Sequence, residues 1–170
     1  IIFENPNQTV VMFASRLLKD KGIYEFIQAA EFIKKECKDL NSEIIFVLVG
    51  DIDIENRASV NMDEVNKWEE RGLIQYWGYS DRIDKMLYMA DIFVLPSYRE
   101  GMPKILLEAS ACSLPIITTD VPGCRDAVIP NETGLIVPPR DSRALSLAIS
   151  ELLRNHQKAI LLGQNARKHA

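Results

Sequence analysis

The stretch ADIFVLPSYREGMPKILLEASACSLPIITTD, residues 90–120, decides the fold. Ile92–Leu95 is an uninterrupted apolar run that Pro96 stops, as a buried strand requires. A loop containing Gly101 follows, and Pro103 falls at the first helical position, where a missing N–H costs nothing. The helix runs from there to about Cys112, and Pro115–Thr119 is a second buried strand. Strands that are apolar on both sides, joined through a helix, belong to a parallel sheet covered on both faces.

The same alternation extends in both directions. Upstream, Val10–Ser15 reads as a strand, and Gly22–Lys38 carries Ile23, Phe26, Ile27, Ala30 and Ile33 at helical spacing. Glu43–Val49 is a strand, Asp63–Arg71 a helix, Ile74–Trp77 a strand and Arg82–Ala90 a short helix. Downstream come the strand Gly134–Val137 and the closing helices Ser142–Arg154 and Gln157–His169. The expectation is an α/β domain spanning residues 1–170, a doubly wound, Rossmann-like parallel sheet of about six strands with helices on both faces. Residues 1–8 read as a loose lead-in.

A chain of 170 residues suits one such domain. Net charge is -4, which argues against a nucleic-acid footprint and leaves any phosphate to a few local cations. Cys37, Cys112 and Cys124 are widely spaced, so neither a disulfide framework nor a zinc site is expected and a reducing cytoplasm fits. Cys124 is expected to be inert, and His156 and His169 to be solvated. Runs such as Ile44 to Val49 are too short to span a bilayer. Ile1-Ile2-Phe3-Glu4 has neither a basic lead nor an initiator Met, the pattern of a piece excised from a longer protein.

Ligands of doubly wound sheets bind beyond the carboxyl ends of the strands, so the loops there should carry the chemistry. After the first strand stand Arg16 and, at the start of the next helix, Lys21, a fork and a point charge that together suit a diphosphate. The same two cations also fit a plain solvated loop. After Leu95, Gly101 leads into a helix start whose free N–H groups and positive dipole end suit an anion. Glu100 lies in that loop and Glu108 one to two turns into the helix, each able to accept from a pair of sugar hydroxyls. Against this, Glu108 can pair with Lys104 at i,i+4, although its apolar neighbours suggest partial burial. Gly123, before a short helix, allows close backbone approach to a ligand. Tyr79 can stack on a base or simply pack. Ser80 or Asp81 reads as a helix N-cap, with Ser80 also a candidate donor contact.

Taken in order, these segments resemble the C-terminal domain of retaining GT-B glycosyltransferases, the glycogen-synthase-like and sucrose-synthase-like group. The resemblance covers the chain after residue 9 and rests on the Glu-x7-Glu motif, Glu100 to Glu108, with SRLLKDKG before it and VPGCRDAVIPNETGLIVPPRD after it. It implies that Arg16 and Lys21 hold the donor diphosphate, Glu100 meets the transferred sugar and Glu108 the ribose. It also implies donor contacts at the backbone of Gly101 and Met102, beside which Pro103, Tyr79, Ser80 and Gly123 remain candidate donor-binding positions. Pro103 departs from the usual N–H-bearing residue, and Cys124-Arg125 from the usual glycine and apolar pair.

Further implications are transfer with retention, no metal and no cofactor beyond the nucleotide sugar, expected to be UDP-linked. The wording YREGMPKILLEA is similar to bacterial enzymes that build surface polysaccharides on lipid carriers. A lipid-linked acceptor would then be held by an N-terminal domain outside this chain, peripheral to the inner face of the membrane. Two rivals share the architecture: a UDP-sugar epimerase, and a nucleotide-sugar-binding module without catalysis. A nicotinamide dehydrogenase is excluded, since Ser15-Arg16-Leu17 stands where G-x-G-x-x-G is needed. A response-regulator-like domain is excluded too, because the loop after the first strand is basic where that fold needs an acidic cluster.

Overall fold

The computed structural model describes residues 8–40 and 44–170. The lead-in expected over residues 1–8 therefore lies outside the described residues, Gln8 excepted. Six parallel strands form one sheet: β1 (Thr9–Ala14), β2 (Ile44–Val49), β3 (Gln75–Tyr76), β4 (Ile92–Leu95), β5 (Ile116–Thr119) and β6 (Gly134–Val137). The helices are α1 (Ile23–Glu36), α2 (Met62–Glu70), α3 (Ile83–Leu87), α4 (Lys104–Ala111), α5 (Pro122–Ala127), α6 (Ser142–Arg154) and α7 (His156–His169).

Strand order is β3-β2-β1-β4-β5-β6, so the chain reverses its direction of winding between β1 and β4. That crevice is where a sheet of this kind binds ligands. Successive side chains of a strand point to opposite faces. In β1, Val11 and Phe13 enter the core shared with α1, α2 and α6, while Val10, Met12 and Ala14 enter the one shared with α3, α4 and α5. Both faces are covered, which is why β1 can be apolar from Val10 to Ala14. Phe26 anchors the first core, its ring 5.5 Å from Phe13 and 5.7 Å from Phe46.

The doubly wound sheet is as the sequence leads one to expect, with four local corrections. Pro103 caps α4 instead of opening it, because its extended backbone (φ -75°, ψ 103°) stays outside the helical region. Gly123 lies inside the first turn of α5, which Pro122 opens. Neither Ser80 nor Asp81 caps α3: Arg82 does, and the Ser80 hydroxyl instead accepts from the Arg82 N–H at 3.1 Å. Lys21 precedes α1, in a short 3-10 turn over Lys19–Lys21.

That turn ends at Gly22, whose φ of +76° is left-handed. A Cβ there would stand 2.0 Å from the Pro96 carbonyl oxygen, so the loops after β1 and β4 touch backbone to backbone. At the other strand neighbour, Leu17 N–H donates to Asp51 O at 3.0 Å and Lys19 N–H to Ala58 O at 2.8 Å. The β1 loop is thus clamped from both sides.

Candidate functional site

At the crevice, the loop after β1 and the loop after β4 are joined by a half-buried ion pair. Lys21 Nζ donates to Glu100 Oε1 at 2.7 Å, with the two side chains 19% and 10% exposed. Ser97, fully buried at the end of β4, donates its hydroxyl to the same oxygen at 2.6 Å. The Thr119 hydroxyl in turn donates to the Ser97 carbonyl, tying β5 into the arrangement. Both bonds fall on Oε1, which leaves Oε2 accepting from no described residue and open to a ligand hydroxyl.

Beyond Glu100 the backbone is unspent. The N–H groups of Gly101 and Met102 donate to no described residue, and both residues are exposed just ahead of α4. Pro103, buried, contributes no donor. Gly123 serves a different neighbour from the one expected. A Cβ on it would lie 1.5 Å from the Gly101 carbonyl oxygen and 2.8 Å from that of Glu100. The close approach there is taken by the Glu100-Gly101 backbone, and α5 buttresses the loop from behind.

Beside this lies a cleft of about 350 Å³ along the carboxyl ends of β1 and β2. Arg16, Asp51, Tyr79 and Ser80 line it, with Ile83 of α3 and Ile105 of α4 as apolar walls. Arg16 is exposed, and so is Tyr79, 71% of whose surface is accessible. Glu108 stands three residues after Ile105, on the same side of α4. Its expected partial burial is not found. Leu106, Ala109 and Ser110 face inward, whereas Leu107 and Glu108 face outward. Nor does Glu108 pair with Lys104, since its carboxylate makes no hydrogen bond or ion pair with a described residue.

The structure thus gathers Arg16, Lys21, Glu100, Gly101, Met102, Tyr79, Ser80 and Glu108 at one sheet edge. Ser97, Asp51, Ile83 and Ile105 join them although the sequence did not single them out. Ser97 carried a faint signal, a small polar residue just past the proline that ends a buried strand. Cys124 is fully buried, and that burial pushes its thiol pKa up, as inertness requires. His156 and His169 are exposed. Among the described residues no group of three or more His, Cys, Asp or Glu is placed to hold a metal ion. No helix among them is long and apolar enough to cross a membrane.

Comparison with known proteins adds the following. The model of the family described as glycosyl transferases group 1 matches residues 1–169. The chain is 35% identical, over 95% of its own length and 40% of the relative's, to N,N'-diacetylbacillosaminyl-diphospho-undecaprenol alpha-1,3-N-acetylgalactosaminyltransferase of Campylobacter jejuni. It is 32% identical, over 74% of its length and 31% of the relative's, to UDP-Gal:alpha-D-GlcNAc-diphosphoundecaprenol alpha-1,3-galactosyltransferase of Escherichia coli. Among solved structures it superposes on sucrose-phosphate synthase of Thermosynechococcus elongatus with a TM-score of 0.80 and 30% identity, over 95% of this chain and 40% of that one. The chain therefore spans two fifths or less of the length of these relatives.

Proposed function

The chain belongs to the glycosyl transferases group 1 family, and from that premise we propose that it is the nucleotide-sugar-binding half of a retaining glycosyltransferase. Its donor is a UDP-linked hexose or N-acetylhexosamine, and its acceptor a lipid-linked saccharide destined for a surface polysaccharide. The observation that carries this reading is the convergence at one sheet edge of Lys21, Glu100 and the unspent N–H groups before α4. Lys21 uses one of its three donors on Glu100, leaving two for a phosphate oxygen. Arg16, at the mouth of the neighbouring cleft, supplies the second cation.

In this reading charge building on the departing diphosphate is met by Arg16, Lys21 and the N–H groups of Gly101 and Met102, a preorganised stabilisation of the leaving group. Glu100 orients the sugar through Oε2, and Glu108 accepts from the ribose hydroxyls. Tyr79 stacks on the base over the apolar floor of Ile83 and Ile105. No metal takes part. The names of two relatives contain undecaprenol-linked saccharides and one contains UDP-Gal, which supports the classes of acceptor and donor.

Calorimetry with UDP tests the proposal. Binding should survive EDTA, weaken with salt because exposed cation–phosphate attraction is screened, and fall roughly tenfold or more in Lys21→Ala. Binding that vanishes with the chelator contradicts the metal-free mechanism. Incubated with UDP-sugars and a lipid-diphosphate acceptor, the chain by itself should release no transfer product, because one sheet edge neither excludes water nor positions an acceptor. Efficient transfer would place the acceptor site within these residues.

A further inference from the structure

Three bonds cross from the loop after β1 and the start of α1 to the loop after β4. Lys21 to Glu100 is one, at 2.7 Å. The other two belong to Tyr98: its N–H donates to Asp20 O at 2.8 Å, and its hydroxyl donates to Glu25 Oε1, in the first turn of α1, at 2.6 Å. From a third loop, after β6, the Arg140 guanidinium lies over the Tyr98 ring, 4.6 Å from its centre. Tyr98 is thus fastened along its backbone, its ring face and its hydroxyl, two residues before Glu100.

We propose that Tyr98 is a positioning residue: through Glu25 and Asp20 it fixes the start of α1 against the β4 loop and so sets the separation of Lys21 and Glu100. The inference rests on the donor-site reading for its functional meaning. Its physical basis is independent of that reading. Glu25 Oε2 is buried and accepts from no described residue, so the Tyr98 hydroxyl is the donor that satisfies this carboxylate. Removing the hydroxyl leaves a largely buried carboxylate without a donor, which costs more than one ordinary hydrogen bond and drives the side chain and its helical turn to move. Asp20 Oδ1 is likewise buried without a hydrogen-bond partner among the described residues. Burial, reinforced by the Glu25 bond, raises the Tyr98 pKa, so the hydroxyl keeps its proton and remains a donor. Among the described residues, Lys21, between Asp20 and the αL glycine that touches Pro96, makes no side-chain hydrogen bond to the β4 loop other than the one to Glu100. Its aim depends on the fastening that Tyr98 supplies.

The test has a ligand-free arm and a ligand arm. In hydrogen–deuterium exchange, Tyr98→Phe should speed the amides of Tyr98 and Lys21 about tenfold, while amides of α7 stay unchanged. Glu25→Ala should do the same, and gives the readout if Tyr98→Phe does not fold. Glu25→Gln, which keeps the acceptor, should remain within about threefold of the unmodified protein. Exchange left unchanged by both Tyr98→Phe and Glu25→Ala overturns the proposal, whether or not nucleotide binds. In the ligand arm, Tyr98→Phe should weaken UDP about fivefold, and less than about twofold when Lys21→Ala is already present, since a residue acting through Lys21 has nothing left to position. Equal losses in both backgrounds overturn it. If the unmodified chain binds no UDP, the donor-site reading falls and the exchange arm alone decides this inference.

Discussion

Glu100 accepts from Lys21 and from Ser97 on one oxygen, whereas the Glu108 carboxylate, a turn beyond the apolar wall of Ile105, stands exposed without a partner among the described residues. The two carboxylates therefore differ in what a substitution would disturb. Replacing Glu108 with Gln removes only what it gives to a ligand, so UDP affinity should drop by roughly 1.5–3 kcal/mol with the melting temperature unmoved. Glu100→Gln should leave UDP affinity closer to its starting value and, with the domain reunited in a two-domain transferase, depress sugar transfer instead. An unchanged UDP affinity in a folded Glu108→Gln protein ends the ribose assignment. Away from the site, Tyr24 donates to Glu64 Oε1 at 2.7 Å, and burial together with this bond pushes its pKa up to about 12. Its ordinary value is 10.0, so above that pH the unfolded chain releases the proton before the folded one does. The bond's stabilisation is present in full below pH 10 and is lost as pH climbs towards about 12. Denaturant titrations across this window should show a shallower alkaline loss in Tyr24→Phe, and equal slopes would show that Tyr24 is not responsible.

At the scale of elements, the site depends on loops that touch without side chains. Gly123 in α5 meets the carbonyls of Gly101 and Glu100, so Gly123→Ala must push the β4 loop away or tilt α5. Overpacking of this kind costs about 1–3 kcal/mol. The predicted signature is a loss of UDP affinity together with stability, and retention of both would mean that the loop yields freely. Contacts like this one explain what the sequence could and could not convey. The strands other than β3 were legible because each is a short, largely apolar run, whereas β3 is only Gln75–Tyr76 within the expected Ile74–Trp77; α1 was legible because Ile23, Phe26, Ile27, Ala30 and Ile33 repeat at helical spacing. Gly123 looked like a ligand contact because a glycine declares that something comes close, but not what. The outward turn of Glu108 was missed for a related reason: apolar neighbours in sequence are not neighbours in space on a helix of 3.6 residues per turn. Glu25 gave no sign beyond that of an acid suited to a helix start. Its partner, Tyr98, is distant in the chain and only the crossing of loops at the switch point brings the two together.

For the whole molecule, the winding order brings the candidate groups to the carboxyl end of the sheet. A second cavity, about 260 Å³, lies at the opposite, amino end, between Asp91, Cys112 and His156. The two ends offer different chemistry. One has paired cations, open N–H groups and an apolar slot; the other has a carboxylate already accepting the Val10 N–H at 2.7 Å and an exposed imidazole. In the donor-site reading a diphosphate should go to the end that carries Arg16, Lys21 and the open N–H groups. The measurement that tests this most directly is an NMR titration of the isotope-labelled chain with UDP, followed amide by amide. The account predicts shifts concentrated at residues 15–22, 50–51, 79–83 and 98–108, with the amides of Gly101 and Met102 among the largest. Shifts centred on Asp91, Cys112 and His156, or no shifts at millimolar UDP, would contradict it.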